Sequence, residues 1–316
     1  IQYSYKYLNL YLDMTSKIKL TFLGTSDAIP TASRNHTSIL LTYEGENILV
    51  DCGEGTQRQF RIAELNPNKI TRILISHFHG DHIFGLPGLL STLSFSGYNK
   101  TLYIYGPKGT KEFIKEMLRL FIFQQNFKIQ VEEVSGKFFE NKDFYLEAES
   151  MTHGTPCNAY SFVKKEQIRI DKKKMKKSGL LEGPLVGKLK NGEDVLFNGK
   201  KFKSKDLTYR EEGRKISVVL DTSLNSKIIP FVKNSNLLIL ESTFLENSEK
   251  GKKLAEEYKH LTAKQAGEIT KKSKSKKLVI THISSRYDKN PKFLVDEAKK
   301  IFKNSELAKD FDVVEL

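Results

Sequence analysis

Six consecutive residues, His77-Phe78-His79-Gly80-Asp81-His82, constrain this chain more than any other stretch. They follow the apolar, strand-like run 70–76 and precede Phe84-Gly85-Leu86-Pro87, where a helical pattern begins. Imidazole nitrogens and carboxylate oxygens suit a divalent, borderline-soft metal such as zinc, and four such side chains fall within six positions. On a loop at a strand end, residues two apart project to one point while the next pair faces a neighbouring point. One loop can then serve two metals. A lone histidine would be read as a surface or core residue; a His/Asp cluster at ligand spacing is a metal signal.

The chain has 316 residues, 39% hydrophobic and 28% charged, enough to bury a large core in one or two domains. No stretch approaches the ~20 consecutive apolar residues of a bilayer span, so a soluble protein is expected. Residues 1–13 lack the pattern of a signal peptide, and Met14-Thr15-Ser16-Lys17 looks like a natural start. Residues 1–16 are therefore read as an extension of unclear role and 17–316 as a single domain. The two cysteines, Cys52 and Cys157, form no C-x-x-C pair, which argues against a disulfide framework or thiolate site and for a reducing cytoplasm.

The net charge of +14 predicts a polyanionic partner, nucleic acid before membrane surface. Residues 164–215 hold 17 Lys or Arg against 8 Asp or Glu, a local +9. This segment contains Lys172-Lys173-Lys174-Met175-Lys176-Lys177 and Gly183-Pro184, interleaved with Leu180, Leu181, Leu185, Val186 and Leu189. Such apolar interleaving predicts a small folded appendage, a basic arm interrupting the domain at about 164–212, rather than a solvated charge run. An arm of this kind grips phosphates by counterion release.

Strands are predicted at 17–23, 37–43, 47–51, 70–76, 102–105, 128–134, 144–149, 215–220, 237–240 and 277–281, with helices at 56–65, 86–93, 110–120 and 263–272. Their alternation means a layered α/β protein. Asp51, His153, Asp221, Glu241 and His282 all follow strand ends, the edge where open α/β sheets place their chemistry. Asp51 reads on its own as the N-cap of the helix that begins near Glu54. His260, in Tyr258-Lys259-His260-Leu261-Thr262, reads on its own as a surface histidine in a Lys-rich stretch.

The loop H-x-H-x-D-H resembles the signature of the metallo-β-lactamase superfamily. Further pieces narrow the resemblance to the ribonuclease Z family in its short form: Asp51-Cys52-Gly53-Glu54-Gly55-Thr56-Gln57, Gly85-Leu86-Pro87-Gly88-Leu89, His153-Gly154, Gly183-Pro184 within the arm, Asp221-Thr222, His260-Leu261-Thr262, and Thr281-His282-Ile283-Ser284 with Arg286-Tyr287. The resemblance implies a four-layer αββα sandwich with a protruding basic arm. It implies two zinc ions per chain, one on His77, His79 and His153, the other on Asp81, His82 and His282, with Asp221 bridging. It places His260, oriented by Glu241, at the scissile phosphate, gives Asp81 a second role in orienting the water, and makes Asp51 a support beside the metal loop rather than a ligand, a role as open as the N-cap and compatible with it. The implied activity is a zinc-dependent endoribonuclease that removes the 3′ trailer of precursor tRNA by metal-activated water attack, leaving a 3′-hydroxyl. Arg34, Asn35, Arg286, Gly183, Pro184, Lys172, Lys173 and Lys174 are implied substrate contacts, and a cytoplasmic homodimer is implied, one subunit's arm serving the other's site. Ser33 stands where many relatives carry lysine, Leu240 and Ser242 where His and Ala are common, and Leu261 where Ser is common. His36 has no ligand role in the pattern and reads as local packing. The alternatives are another phosphodiesterase or arylsulfatase-like hydrolase of the same fold, and a non-catalytic nucleic-acid-binding member. Against the last, buried ligands without metal would leave polar groups unpaired.

Overall fold

In the structure, a computed structural model, residues 17–121, 125–180, 183–248 and 250–316 are described. The extension read at 1–16, with Leu181 of the arm, lies outside the described residues. Strands β1 (Lys19–Gly24), β2 (Ser38–Tyr43) and β3 (Glu46–Val50) form an antiparallel meander, and β4 (Arg72–Leu74), β5 (Leu102–Gly106) and β6 (Ile129–Glu133) continue it in parallel. Parallel neighbours need crossovers, supplied here by helices Thr56–Ile62, Leu86–Phe95 and Thr110–Leu120.

A second meander, β7 (Gly136–Glu140), β8 (Phe144–Met151) and β9 (Cys157–Lys164), opens the other sheet. The chain then departs through β10 (Gln167–Ile170), β11 (Val195–Phe197), β12 (Lys200–Phe202) and β13 (Thr208–Glu211). It returns as four parallel strands, β14 (Arg214–Val219), β15 (Leu237–Glu241), β16 (Leu278–Thr281) and β17 (Ser305–Leu307). Finally β18 (Val313–Glu315) crosses back to pair with β1. The sheet orders are β18-β1-β2-β3-β4-β5-β6 and β17-β16-β15-β14-β9-β8-β7.

Burial sorts these elements into four layers. Phe22, Ile39, Leu41 and Tyr43 of the first sheet meet Phe144, Phe162, Ile216 and Ile239 of the second in a core between the sheets. Outside the first sheet, Leu23, Leu49 and Ile104 pack on Phe60, Leu89 and Ile114 of the crossover helices. Outside the second, Leu238 and Ile280 pack on Ala266, Ile269 and Leu294 from helices Ala263–Lys272 and Lys292–Ile301. The order is therefore helix, sheet, sheet, helix, as the resemblance implied. Strand β9 escaped the sequence reading because it is covered on both faces, so its residues do not alternate. Strand β18 escaped because only pairing with the far end of the chain makes it a strand.

The basic segment folds on a core of its own, Met175, Leu180, Leu189, Val195, Phe202 and Leu207. Its base is the β10–β13 pair. There the ammonium of Lys164, 1% exposed, meets Glu211 at 2.6 Å, while Arg169 joins Glu211 at 2.8 Å to Glu44 of the β2–β3 turn at 3.2 Å. Removing one partner of a buried ion pair leaves the other charge unpaired, at about 3–5 kcal/mol. Glu211→Ala should therefore lower stability by about 3 kcal/mol in urea unfolding; an unchanged midpoint would mean that the pair holds nothing.

Candidate metal centre

Asp51 ends β3 with φ at +57°, a left-handed turn that an aspartate tolerates. That turn aims its fully buried carboxylate under the metal loop, where it accepts from Ser76 N at 2.7 Å and Ser76 Oγ at 2.6 Å and lies 2.6 Å from His82 Nδ1. Gly55, not Asp51, caps the helix Thr56–Ile62, so Asp51 is the support and not the N-cap. The two segments are laced together by Cys52 N to His82 O at 2.8 Å and Gly85 N to Cys52 O at 2.9 Å. Gly53 is required at this contact, because a Cβ there would stand 2.4 Å from the Asp81 carbonyl oxygen and 2.5 Å from His36 Cβ. His36 is buried against it, in keeping with a packing role.

Outer hydrogen bonds set the histidine tautomers. Nδ1–H of His82 donates to Asp51, that of His153 to Lys259 O at 3.1 Å, that of His77 to Ser76 Oγ at 3.0 Å, and that of His282 to Thr243 Oγ1 at 3.0 Å. Ser76 and Thr243 can accept because each gives its own proton to a carboxylate, Asp51 and Glu241 respectively. In the neutral form of each ring the Nε2 lone pair then faces inward, the arrangement usual for metal-binding histidines whose other nitrogen donates to a neighbouring acceptor.

The inward atoms form two groups that share Asp221. His77, His79, His153 and Asp221 make one; Asp81, His82, His282 and Asp221 make the other, all donor atoms within 4.8 Å of one another. In the first, His79 Nδ1 lies 3.0 Å from His77 Nε2 and 3.2 Å from His153 Nε2, and Asp221 Oδ2 lies 3.6 Å from His77 Nε2. In the second, His82 Nε2 lies 3.3 Å from His282 Nε2 and 3.1 Å from Asp81 Oδ2, and Asp221 Oδ1 lies 3.1 Å from His282 Nε2. A tetrahedron with metal–nitrogen bonds of about 2.0–2.1 Å has edges near 3.3–3.4 Å, so this spacing fits metal binding. Asp221 Oδ1 is also buried with no hydrogen-bond partner, a defect that a cation bound among these donors would answer.

Electrostatics agree. Burial opposes charge on His82, yet the carboxylates of Asp221, Asp51 and Asp81 hold its imidazole well above the ordinary range. Burial and the neighbouring His82 push His77 the other way, toward the neutral form that ligates. The three carboxylates demand positive charge, and without a metal a histidine has to provide it.

His260 stands beside these groups, its ring 5.3 Å from that of His153 and 5.4 Å from that of His282. Its Nδ1 lies 2.9 Å from Glu241 Oε2; Glu241, fully buried, is fixed in turn by Thr222 N at 2.6 Å and Thr243 Oγ1 at 2.7 Å. Burial disfavours the imidazolium, but Glu241 and Asp221 outweigh it and raise His260 to about 9. The lysine-rich surroundings hid this histidine from a reading by residues alone. Ser76 and Thr243 carry no sequence signal, since hydroxyls are common and only their positions matter.

The implied substrate contacts divide. Arg34 is 5% exposed and turned inward, donating to Thr25 Oγ1 at 2.6 Å and Ala308 O at 2.7 Å. Asn35 Nδ2 donates to Glu54 O at 2.7 Å, and Ser33 Oγ to Asp288 at 2.8 Å, tying this loop to the segment after His282. Arg286 lies over the Phe244 ring at 5.5 Å, close to His260. Lys172, Lys173 and Lys174 are exposed on the arm helix Lys172–Ser178, and Gly183 and Pro184 start the helix Pro184–Lys190.

Residues 18–168 match the family model described as anti-Pycsar protein Apyc1. Ribonuclease Z of Listeria welshimeri is 41% identical over 307 residues, covering 95% of this chain and 99% of that protein. Ribonuclease Z of Nanoarchaeum equitans is 40% identical over 265 residues, covering 84% and 83% respectively. The crystal structure of human tRNase Z, short form, superposes with a TM-score of 0.67 at 28% identity, over 94% of this chain and 98% of that one. The metallo-β-lactamase fold protein YhfI of Bacillus subtilis superposes with a TM-score of 0.68 at 20% identity, over 95% of this chain and 100% of that one, a likeness of fold.

Proposed function

The chain belongs to the ribonuclease Z family of endoribonucleases, and from that premise we propose that it removes the 3′ trailer of precursor tRNA at a centre of two zinc ions. The observation that supports the reading is the double ring of inward donors around Asp221, with His260 poised beside it. His77, His79 and His153 would hold one ion and Asp81, His82 and His282 the other, Asp221 serving both. Bound there, zinc supplies Lewis-acid stabilisation of the phosphoryl oxygens and lowers the pKa of water toward ~7.

The protein's own groups do the rest. Asp51, Ser76, Thr243 and Lys259 O fix the imidazole orientations. Asp81 orients the attacking water. With Nδ1 on Glu241, protonated His260 presents Nε2–H to the departing oxygen. As the water oxygen, its proton released to solvent, bonds to phosphorus, the P–O3′ bond breaks and the His260 proton completes the 3′-hydroxyl of the tRNA; His260 then regains a proton from solvent.

Lysines of the arm would bind the tRNA body. The arm leaves and rejoins the sheet at paired Lys164 and Arg214, at the end of β14 opposite Asp221, about 20 Å away at the ~3.3 Å rise of a strand. An arm rooted far from its own centre supports a homodimer in which each arm holds RNA for the partner's site. Both cysteines are free and buried, in keeping with a reducing cytoplasm. No helix among the described residues is long and apolar enough to cross a membrane.

The test is incubation with a trailer-bearing precursor tRNA, with and without a zinc chelator. We expect a cut after the discriminator nucleotide that the chelator abolishes and zinc restores. No cut by protein that holds two metals and hydrolyses a small phosphodiester would transfer the assignment to another phosphodiesterase of this fold.

A further inference from the structure

The arm is not the chain's only basic segment. Residues 250–309 hold 17 Lys or Arg and 7 Asp or Glu, a local +10. Together the two segments exceed the whole chain's +14, so everything else is net acidic. Because these lysines are dispersed over three helices and several loops, no single run betrays them.

The fold collects many of them at one place. Three loops lead into the parallel strands β15, β16 and β17: one carries Lys233, the next Lys274 and Lys276, the third Lys303. Backbone bonds hold the loops side by side, with Asn234 N to Ser273 O at 2.9 Å, Lys276 N to Ser235 O at 2.8 Å and Leu278 N to Asn304 O at 3.0 Å. Asn304 Nδ2 also donates to Lys276 O at 2.7 Å. All four lysines are exposed, and none has an ion-pair partner among the described residues. By contrast Lys272 and Lys277 nearby are matched with Glu268 and Glu306.

Helix-end preference explains part of the charge: Lys271, Lys272, Lys299 and Lys300 lie in last turns, where cations favour the dipole. It does not explain the four loop lysines, which are outside both helices. This edge is also where the arm is rooted, since Lys215 N donates to Asn236 Oδ1 at 2.9 Å and Lys215 Nζ to the Phe231 carbonyl, two residues before Lys233. The root of the arm and the lysine-bearing loops are therefore neighbours on the strand-start edge of the second sheet, at the end remote from Asp221 and His282.

We propose that this edge is a second phosphate-binding surface, extending the arm's grip along the backbone of a bound RNA. It rests on the reading of precursor tRNA as substrate. Four lysines on four phosphates would account for about 3 to 4 of the slope of log Kd against log salt, at ~0.9 per duplex phosphate.

The experiment is fluorescence anisotropy of labelled precursor tRNA over a salt series, with the wild type, a quadruple Gln variant (Lys233→Gln, Lys274→Gln, Lys276→Gln, Lys303→Gln) and the matching quadruple Arg variant, all checked by thermal melting. We expect the Gln variant to bind at least tenfold more weakly at low salt with a slope smaller by about 3, and the Arg variant to bind like wild type. A Gln variant with wild-type Kd and slope overturns the proposal while leaving tRNA as the substrate. Equal losses in the Arg and Gln variants assign the lysines to the fold and also overturn it. A Gln variant that loses binding only to phosphatidylglycerol vesicles makes the edge a membrane contact instead. Failure of the wild type to cut precursor tRNA would refute the activity, yet the binding series would still decide the surface.

Discussion

Replacing Asp221 by asparagine should lower precursor-tRNA cleavage by at least ~10³-fold, equivalent to ~4 kcal/mol of transition-state stabilisation, and reduce bound zinc below two per chain. Asp221 is the one side chain common to both donor groups, with Oδ1 3.1 Å from His282 Nε2 and Oδ2 3.5 Å from His82 Nε2. Asn keeps the shape but removes the negative charge and turns one of two acceptors into a donor, aimed at imidazole nitrogens. Loss of a group that merely hydrogen-bonds a metal ligand typically costs about 10–100-fold, so a shared ligand should cost more. Metal content by mass spectrometry and single-turnover cleavage would measure both effects. Near-wild-type turnover with full metal would remove Asp221 from the centre, whereas a collapsed circular-dichroism spectrum would show a folding role.

Deleting residues 172–205 should raise KM for precursor tRNA by at least ~100-fold while leaving hydrolysis of a small phosphodiester within about twofold, because phosphate contacts supply affinity and not chemistry. The deleted stretch holds 11 lysines against 3 acidic residues. The cut is structurally mild: Asp171 N donates to Leu207 O at 2.9 Å, so a short glycine bridge can rejoin the chain above the intact β10–β13 pair. The apolar residues it removes pack in the arm's own core, leaving the three cores of the sandwich intact. Kinetics on both substrates decide the matter. Equal loss on tRNA and on the small ester would make the arm a structural part of the centre.

Chemistry that is local in the chain was legible before any fold was known. His77, His79, Asp81 and His82 lie within one turn of chain, and the strands that end at Asp221, Glu241 and His282 announce themselves by apolar runs closing on polar residues. The folded basic arm was legible because its apolar residues recur among the lysines. What tertiary structure decided is which distant groups converge. His82 and His282 are 200 positions apart yet bring their Nε2 atoms within 3.3 Å, because the two sheets pack with those strand ends at one rim. The same packing turned His260 from a surface residue into Glu241's partner and gave Asp51 the support role. It also drew Arg34 inward to the Ala308 carbonyl and gathered lysines from three loops onto one edge. Residue type and spacing state which chemistry a segment can perform; the nitrogen that carries a proton and the lysine that lacks a carboxylate are set by neighbours through space, which no local pattern encodes.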